Sequence, residues 1–173
     1  MRKIMFRGQT RRFGEKSKNL AGEPMESAWV YGQGVTQGRG DYSIIYGSEK
    51  GPDAEDRFCD KHIIYSDTLG QFVGDNDCND RPIYEGDILL YHKSADPGEP
   101  DFPDGTVGTV ECSGSAFYLA VKESSLATRH YLLNSLLAAH DCILEIVGNI
   151  FDNPDLLEEK AVLSETANET GRP

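Results

Sequence analysis

Apolar and polar positions alternate along much of this chain, and the period is two rather than 3.6. The clearest case is Phe117, Leu119 and Val121 on one side of a run with Tyr118, Ala120 and Lys122 on the other, the pattern of a half-buried strand. Cys142, Leu144 and Ile146 alternate with Ile143, Glu145 and Val147 in the same way, ending at Gly148. Tyr42, Ile44 and Tyr46 form a third alternating run. Shorter strand-forming runs are Ile4 to Phe6, Trp29-Val30-Tyr31, His62-Ile63-Ile64-Tyr65 and Ile88-Leu89-Leu90-Tyr91. Val107, Gly108, Thr109 and Val110 predict a strand with a bulge at the glycine. The expected core comprises Phe117, Leu119, Val121, Ile88, Leu90, Leu144 and Ile146.

Helical spacing is rare. Leu132, Leu133, Leu136 and Leu137 predict a short helix or 3₁₀ turn, and Asn153 with Pro154 behind it predicts the start of another helix. Asp67-Thr68-Leu69-Gly70 predicts a turn, at most one turn of helix capped by Asp67. Glycine, proline and charged clusters mark residues 8–25, 32–40, 48–60 and 94–105 as loops, and Ser113-Gly114-Ser115 as a turn between strands. Many short strands joined by turns, without βαβ alternation or repeats, predict a mainly β protein built on a small barrel or roll.

Charge divides the chain unevenly. The net charge of the 173 residues is −12, yet residues 1–18 hold seven basic side chains against Glu15, a net +6. The remainder holds ten basic and 28 acidic residues, a net −18. An acidic body repels phosphate backbones and disfavours general nucleic-acid binding. The basic start suits an acidic partner or the chain's own body. No stretch approaches the ~20 apolar residues that span a bilayer, and the start lacks the apolar run of a signal peptide; the expected location is the cytoplasm. Cys59, Cys78, Cys112 and Cys142 are too scattered for a disulfide framework, and Cys112 and Cys142 lie in apolar segments as small buried hydrophobes.

Three segments together resemble the YopX family of phage and prophage proteins. The first is Arg2-Lys3-Ile4-Met5-Phe6-Arg7-Gly8 followed by Trp29-Val30-Tyr31-Gly32. The second is Leu69-Gly70-Gln71-Phe72-Val73-Gly74 followed by Arg81-Pro82-Ile83-Tyr84-Glu85-Gly86-Asp87-Ile88-Leu89. The third runs from Ile143 through Gly148-Asn149-Ile150-Phe151-Asp152-Asn153-Pro154 to Leu157. The Pro-rich insert at 94–105 and the acidic turn at 75–80 depart from the shorter forms. The resemblance implies a small β-rich region over residues 1–74 and an SH3-like β-roll or barrel over 75–157 with a short C-terminal helix; the polar composition of 158–173 predicts a disordered tail. It also implies self-association, and no established activity. The repeated residues have a structural explanation. Gly86-Asp87 makes a tight turn in which Asp87 bonds nearby amides, Gly148 ends a strand where a side chain clashes or φ is positive, and Asn153-Pro154 opens a helix.

The candidate chemistry is sparse. Cys59-Asp60-Lys61-His62 looks like half a zinc site, with His140, Cys142 and Cys78 as further donors, but lacks the second close pair of a structural site. Asp75-Asn76-Asp77-Cys78-Asn79-Asp80 begins like a calcium loop, yet its sixth and twelfth positions are Asp80 and Gly86 where glycine and glutamate are needed. The glycines at 32–38 do not match a dinucleotide fingerprint, Arg39-Gly40-Asp41 is a chance tripeptide, and no serine sits in a nucleophile elbow. His62, His92 and His140 are not marked as a catalytic set. No metal and no cofactor is expected. The candidate binding surface is Arg7, Arg11, Arg12, Trp29 and Tyr31, cations beside aromatics that can stack bases; the leading reading of Trp29 and Tyr31 themselves is as core and sheet-surface residues.

The leading expectation is therefore a non-enzymatic accessory protein of a phage or prophage, a homo-oligomer that binds another host or phage macromolecule. The alternatives are nucleic-acid association through the basic start, an acidic DNA mimic that blocks a host protein, and, last, a small hydrolase.

Overall fold

A computed structural model of the chain describes residues 4–10, 29–37, 42–46, 61–92, 103–124, 127–138 and 143–157. The protein is mainly β, with its strands in antiparallel sheets, and it divides into two units, Met1–Phe72 and Val73–Pro173.

In the first unit, β1 (Phe6–Gln9) pairs with β2 (Trp29–Gly32). A separate three-stranded sheet consists of β3 (Gly34–Gln37), β4 (Tyr42–Tyr46) and β5 (Lys61–Tyr65), in that order. Among the described residues, Met5, Ile45 and Ile64 are the buried apolar side chains of this unit. β3 lies where the glycines at 32–40 suggested a loop. Its residues gain strand geometry from pairing with β4, Val35 opposite Ile45 and Thr36 opposite Ile44; no propensity of Gly34 or Gln37 announces it. β1 likewise begins two residues later than the Ile4 to Phe6 pattern, leaving Ile4 exposed and Met5 buried. A 3₁₀ turn at Ser66–Thr68 follows β5. Tyr65, not Asp67, holds its cap position, and Thr68 organises it by donating its hydroxyl to the Tyr65 carbonyl (2.8 Å) while accepting the Gln9 N–H (2.9 Å).

The unit boundary falls inside β6 (Gly70–Asn76), whose first residues pair with β1. β7 (Pro82–Tyr84) follows a loop at 77–81. The second unit then builds a five-stranded antiparallel sheet from β8 (Asp87–His92), β9 (Val107–Ser113), β10 (Ala116–Ser124), β11 (Ala127–Leu132) and β12 (Ile143–Asn149). Its strand order is β11-β10-β9-β8-β12. The short helix α1 (Leu133–Ala138) joins β11 to β12, and a further helical turn begins at Asp155 beyond Asn153-Pro154. The expected roll thus takes the form of an open sheet: β11 and β12 are its edges and do not pair with one another.

The core lies on one face of this sheet. Phe117, Leu119, Val121 and Leu144 belong to it as the alternation predicted, joined by Val73, Ile83, Val110, Leu133 and Leu136, with Ile146 half-buried against it. β8 is the correction. Leu89 and Tyr91 enter the cluster, Ile88 is buried outside it, and Leu90 is only half-buried. Ile88-Leu89-Leu90-Tyr91 is apolar throughout, so its own pattern does not choose a face. Register chooses it, placing Leu89 between Gly108 and Ile146, and Tyr91 opposite Leu144. Gly108 is not bulged, since pairing runs regularly through it. A Cβ there would lie 2.8 Å from Leu119 Cδ1 and 2.9 Å from the Ala120 carbonyl oxygen, so close packing across the sheet is what requires glycine. The register shifts occur instead at Lys122/Ser124 and at Ile146/Gly148.

Candidate interaction surface

Arg7 stands opposite Tyr31 in the β1–β2 register, and Trp29 is the diagonal neighbour, so the three share one strand face. The Arg7 guanidinium carbon sits 4.8 Å from the Trp29 ring centroid, a cation–π contact, and Arg7 is buried. Arg7 therefore covers one face of the indole, and Tyr31 is the exposed aromatic of the set. Arg11 and Arg12, the other members of the candidate surface, lie outside the described residues.

Tyr84-Glu85-Gly86-Asp87 and Gly148-Asn149-Ile150-Phe151, motifs from two of the three segments that carry the family resemblance, meet in the second unit. In Tyr84-Glu85-Gly86-Asp87, the buried Asp87 carboxylate accepts the Tyr84 N–H (2.7 Å), as the sequence suggested. Gly86 adopts φ +83, donates its N–H to the Val110 carbonyl (2.9 Å) and accepts the Ile150 N–H (3.0 Å). Asn149 organises the other motif: its side-chain oxygen accepts the N–H groups of Phe151 (3.0 Å) and Asp152 (2.9 Å). Gly148 continues the strand rather than ending it, with a φ outside the positive range; a Cβ there would meet the Asn153 side chain. Both motifs therefore fix turns. Gly86→Ala forces a left-handed backbone on a residue with a Cβ that faces Phe151 at 3.3 Å. It should destabilise the protein by about 1–2 kcal/mol, read as a lower midpoint of urea unfolding.

The two edges of the five-stranded sheet differ. The β12 edge is sealed by the 77–81 loop. The Asp77 side chain has no solvent exposure. Its Oδ1 accepts the N–H groups of Asn79 (2.9 Å) and Arg81 (2.8 Å), and its Oδ2 accepts Arg81 Nε (2.8 Å) and the Ile146 N–H (3.0 Å). Cys78 donates its N–H to the Leu144 carbonyl (3.0 Å), and Arg81 Nη2 donates to the Ile146 carbonyl (2.8 Å). The loop thus engages the outward backbone of β12 at Leu144 and Ile146 as a partner strand would. Burial alone would raise the Asp77 pKa, but hydrogen bonds from the Ile146, Arg81 and Asn79 amides and from the Arg81 side chain outweigh it and hold the carboxyl below its ordinary value. Glu145 gathers Asn79 (3.1 Å) and His92 (3.2 Å) on the outer side of this seal.

β11 is different. Among the described strands it pairs with β10 alone, and five of its six residues, all but Tyr131, are exposed. It carries no proline, lysine or acidic residue. On one face His130 contacts Glu111 (3.2 Å) and stands edge-on to Tyr118, with centroids 6.4 Å apart. On the other face, Arg129 pairs with Glu123 (2.8 Å) and donates to the Tyr131 hydroxyl (3.3 Å). Leu132 is exposed at 43% although its neighbour Leu133 is fully buried. β11 went unread in the sequence because Thr128-Arg129-His130 has no apolar alternation to signal a strand.

The family model described as YopX protein matches residues 26–158. The chain belongs to the YopX family. That match covers both family motifs and the whole five-stranded sheet, and begins after the basic start. No curated protein matches the chain. Among solved structures, the crystal structure of protein EF1440 from Enterococcus faecalis is similar at 17% identity and a TM-score of 0.41, over 89% of this chain and 97% of that one.

Cys112, expected to be buried, is exposed, as is Cys78; Cys112 stands opposite Phe117 beside the β9–β10 turn, at the end of the sheet, and Cys78 lies in the 77–81 loop. Both thiols are nonetheless pushed up in pKa, first by partial desolvation and then by carboxylates, Asp77 and Glu145 beside Cys78 and Glu85 beside Cys112. Such thiols stay protonated and are poor nucleophiles. Cys59, His140 and Cys142 lie outside the described residues.

Proposed function

We propose that this YopX-family chain is a phage- or prophage-encoded accessory protein without catalytic activity of its own. It acts in the cytoplasm of a bacterial host through self-assembly and through binding another macromolecule. The observation that carries this reading is the asymmetry of the five-stranded sheet, sealed along β12 by Asp77 and Arg81 and, among the described residues, without a second partner strand along β11. An open edge offers a row of backbone donors and acceptors to another chain. The family motifs support the same reading, since they build turns rather than a reactive site, and the Cys78 and Cys112 thiols are tuned away from nucleophilic chemistry. No helix among the described residues is long and apolar enough to cross a membrane. Light scattering at micromolar concentration and moderate salt should give a multiple of 19.1 kDa. A mass of 19.1 kDa at every dilution would defeat self-assembly.

Nucleic-acid association through the basic start is the second reading, favoured by the shared face of Arg7, Trp29 and Tyr31 with Tyr31 exposed. It requires single-strand binding that weakens steeply with salt and is lost when Arg11 and Arg12 become alanine.

A further inference from the structure

We infer that the β11 edge takes an extended segment of a different protein, one in which acidic and apolar residues alternate, as a further strand of the sheet. The inference rests on the reading above that the chain binds another macromolecule, and it names the chemistry of the segment bound.

A strand added to a sheet edge gains its affinity from backbone hydrogen bonds and its specificity from side chains that alternate between the two faces. The two faces of β11 differ. One presents Arg129, whose side chain is 54% exposed. The other presents Leu132, which is 43% exposed and stands opposite the half-buried Tyr118, with His130 edge-on to the same tyrosine ring. An incoming strand therefore meets a cation on one face and an apolar, aromatic strip on the other.

Charge selects the acidic class and a partner other than a second copy. The chain carries a net −12, but β11 holds Arg129 and no acid. The carboxylates that contact Arg129 and His130 lie inboard, Glu123 on β10 and Glu111 on β9. Strands in a sheet are about 4.8 Å apart, so the backbone of an added strand lies about 5 Å from β11, about 10 Å from β10 and about 14 Å from β9. Directly opposed side chains interact most strongly, and exposed charges beyond about 8 Å are largely screened at physiological salt. The residue opposite Arg129 consequently reads Arg129 first. Glu123 at 2.8 Å orients the guanidinium, whose five donors suit it to serving two carboxylates at once. A second copy of β11 brings no acid to this position, and a basic segment meets Arg129 with like charge.

The test uses the full chain and two short synthetic peptides, one alternating glutamate with valine and the other lysine with valine. Hydrogen exchange reports the β11 amides, and fluorescence anisotropy of the labelled peptides reports affinity at moderate and high salt. The glutamate peptide should slow exchange in β11, the lysine peptide should not, and binding of the glutamate peptide should weaken as salt rises. Arg129→Glu should weaken that peptide about tenfold. Arg129→Gln should weaken it less, and this variant serves if Arg129→Glu, placed beside Glu123, fails to fold by circular dichroism. Leu132→Ser should also weaken it, whereas Thr36→Glu, which adds an acid at an exposed residue of β3 in the other unit, should not. Protection of β11 by both peptides alike, or by the lysine peptide alone, overturns the acidic class and leaves the edge as a docking strand. Unchanged affinity in the Arg129 variants overturns it too, and unchanged affinity in Leu132→Ser overturns the apolar half of the assignment. If neither peptide protects β11, both the inference and the reading of this edge as a binding surface fail, and Arg129 is a charge that keeps the edge unpaired.

Discussion

Asp77→Ala should lower the free energy of unfolding by about 3 kcal/mol at neutral pH. The carboxylate has no solvent exposure and accepts three backbone N–H groups besides the Arg81 guanidinium. Its removal leaves those donors without their acceptor and opens the β12 edge at Ile146. The pH dependence has a definite sign. Asp77 is more acidic folded than unfolded, so its contribution is complete above the unfolded carboxylate value and disappears as pH falls through the folded one. Urea unfolding of the parent chain and of Asp77→Asn from neutrality to about pH 3 isolates this group from the other carboxylates. The gap between the two should be widest near neutrality and close below about pH 4. A constant gap would show that the charge of Asp77 is irrelevant to the seal. Loss of the seal should also expose a second pairing edge, seen as aggregation of Asp77→Ala at concentrations the parent tolerates.

Leu119→Ala should cost about 3 kcal/mol, because Leu119 is fully buried at the centre of the sheet and its truncation leaves a cavity. Gly108→Ala should cost about 2 kcal/mol for the opposite reason, since the new methyl enters space that Leu119 occupies. The informative measurement is the double variant. Removing the Leu119 side chain frees the position 2.8 Å from the added Cβ, whereas the Ala120 carbonyl at 2.9 Å is backbone and stays. The double variant should therefore be more stable than the sum of the singles predicts, by about 1 kcal/mol. Strict additivity would mean that the Ala120 backbone alone, and not Leu119, dictates glycine at 108.

The sequence by itself determined the mainly β class, because period-two alternation over 117–121 and 142–147 reports a sheet with one buried face. It also determined the Gly86-Asp87 turn, whose residue types suit few other conformations, and the short helix after Leu132. Tertiary structure decided what local pattern leaves degenerate. Ile88-Leu89-Leu90-Tyr91 is apolar on both sides, so the pairing with β9 and β12 selected Leu89 and Tyr91 for the core. Cross-strand pairing made β3 a strand, and close approach rather than a bulge required Gly108. The same holds for the candidate surface. Asp77 is one acid in an acidic run, and only its distance from Ile146, 69 residues away in the chain, distinguishes the carboxylate that seals an edge from those that face water. β11 owes its exposure to being last in the strand order, a property of the sheet that no window of Ala127–Leu132 contains.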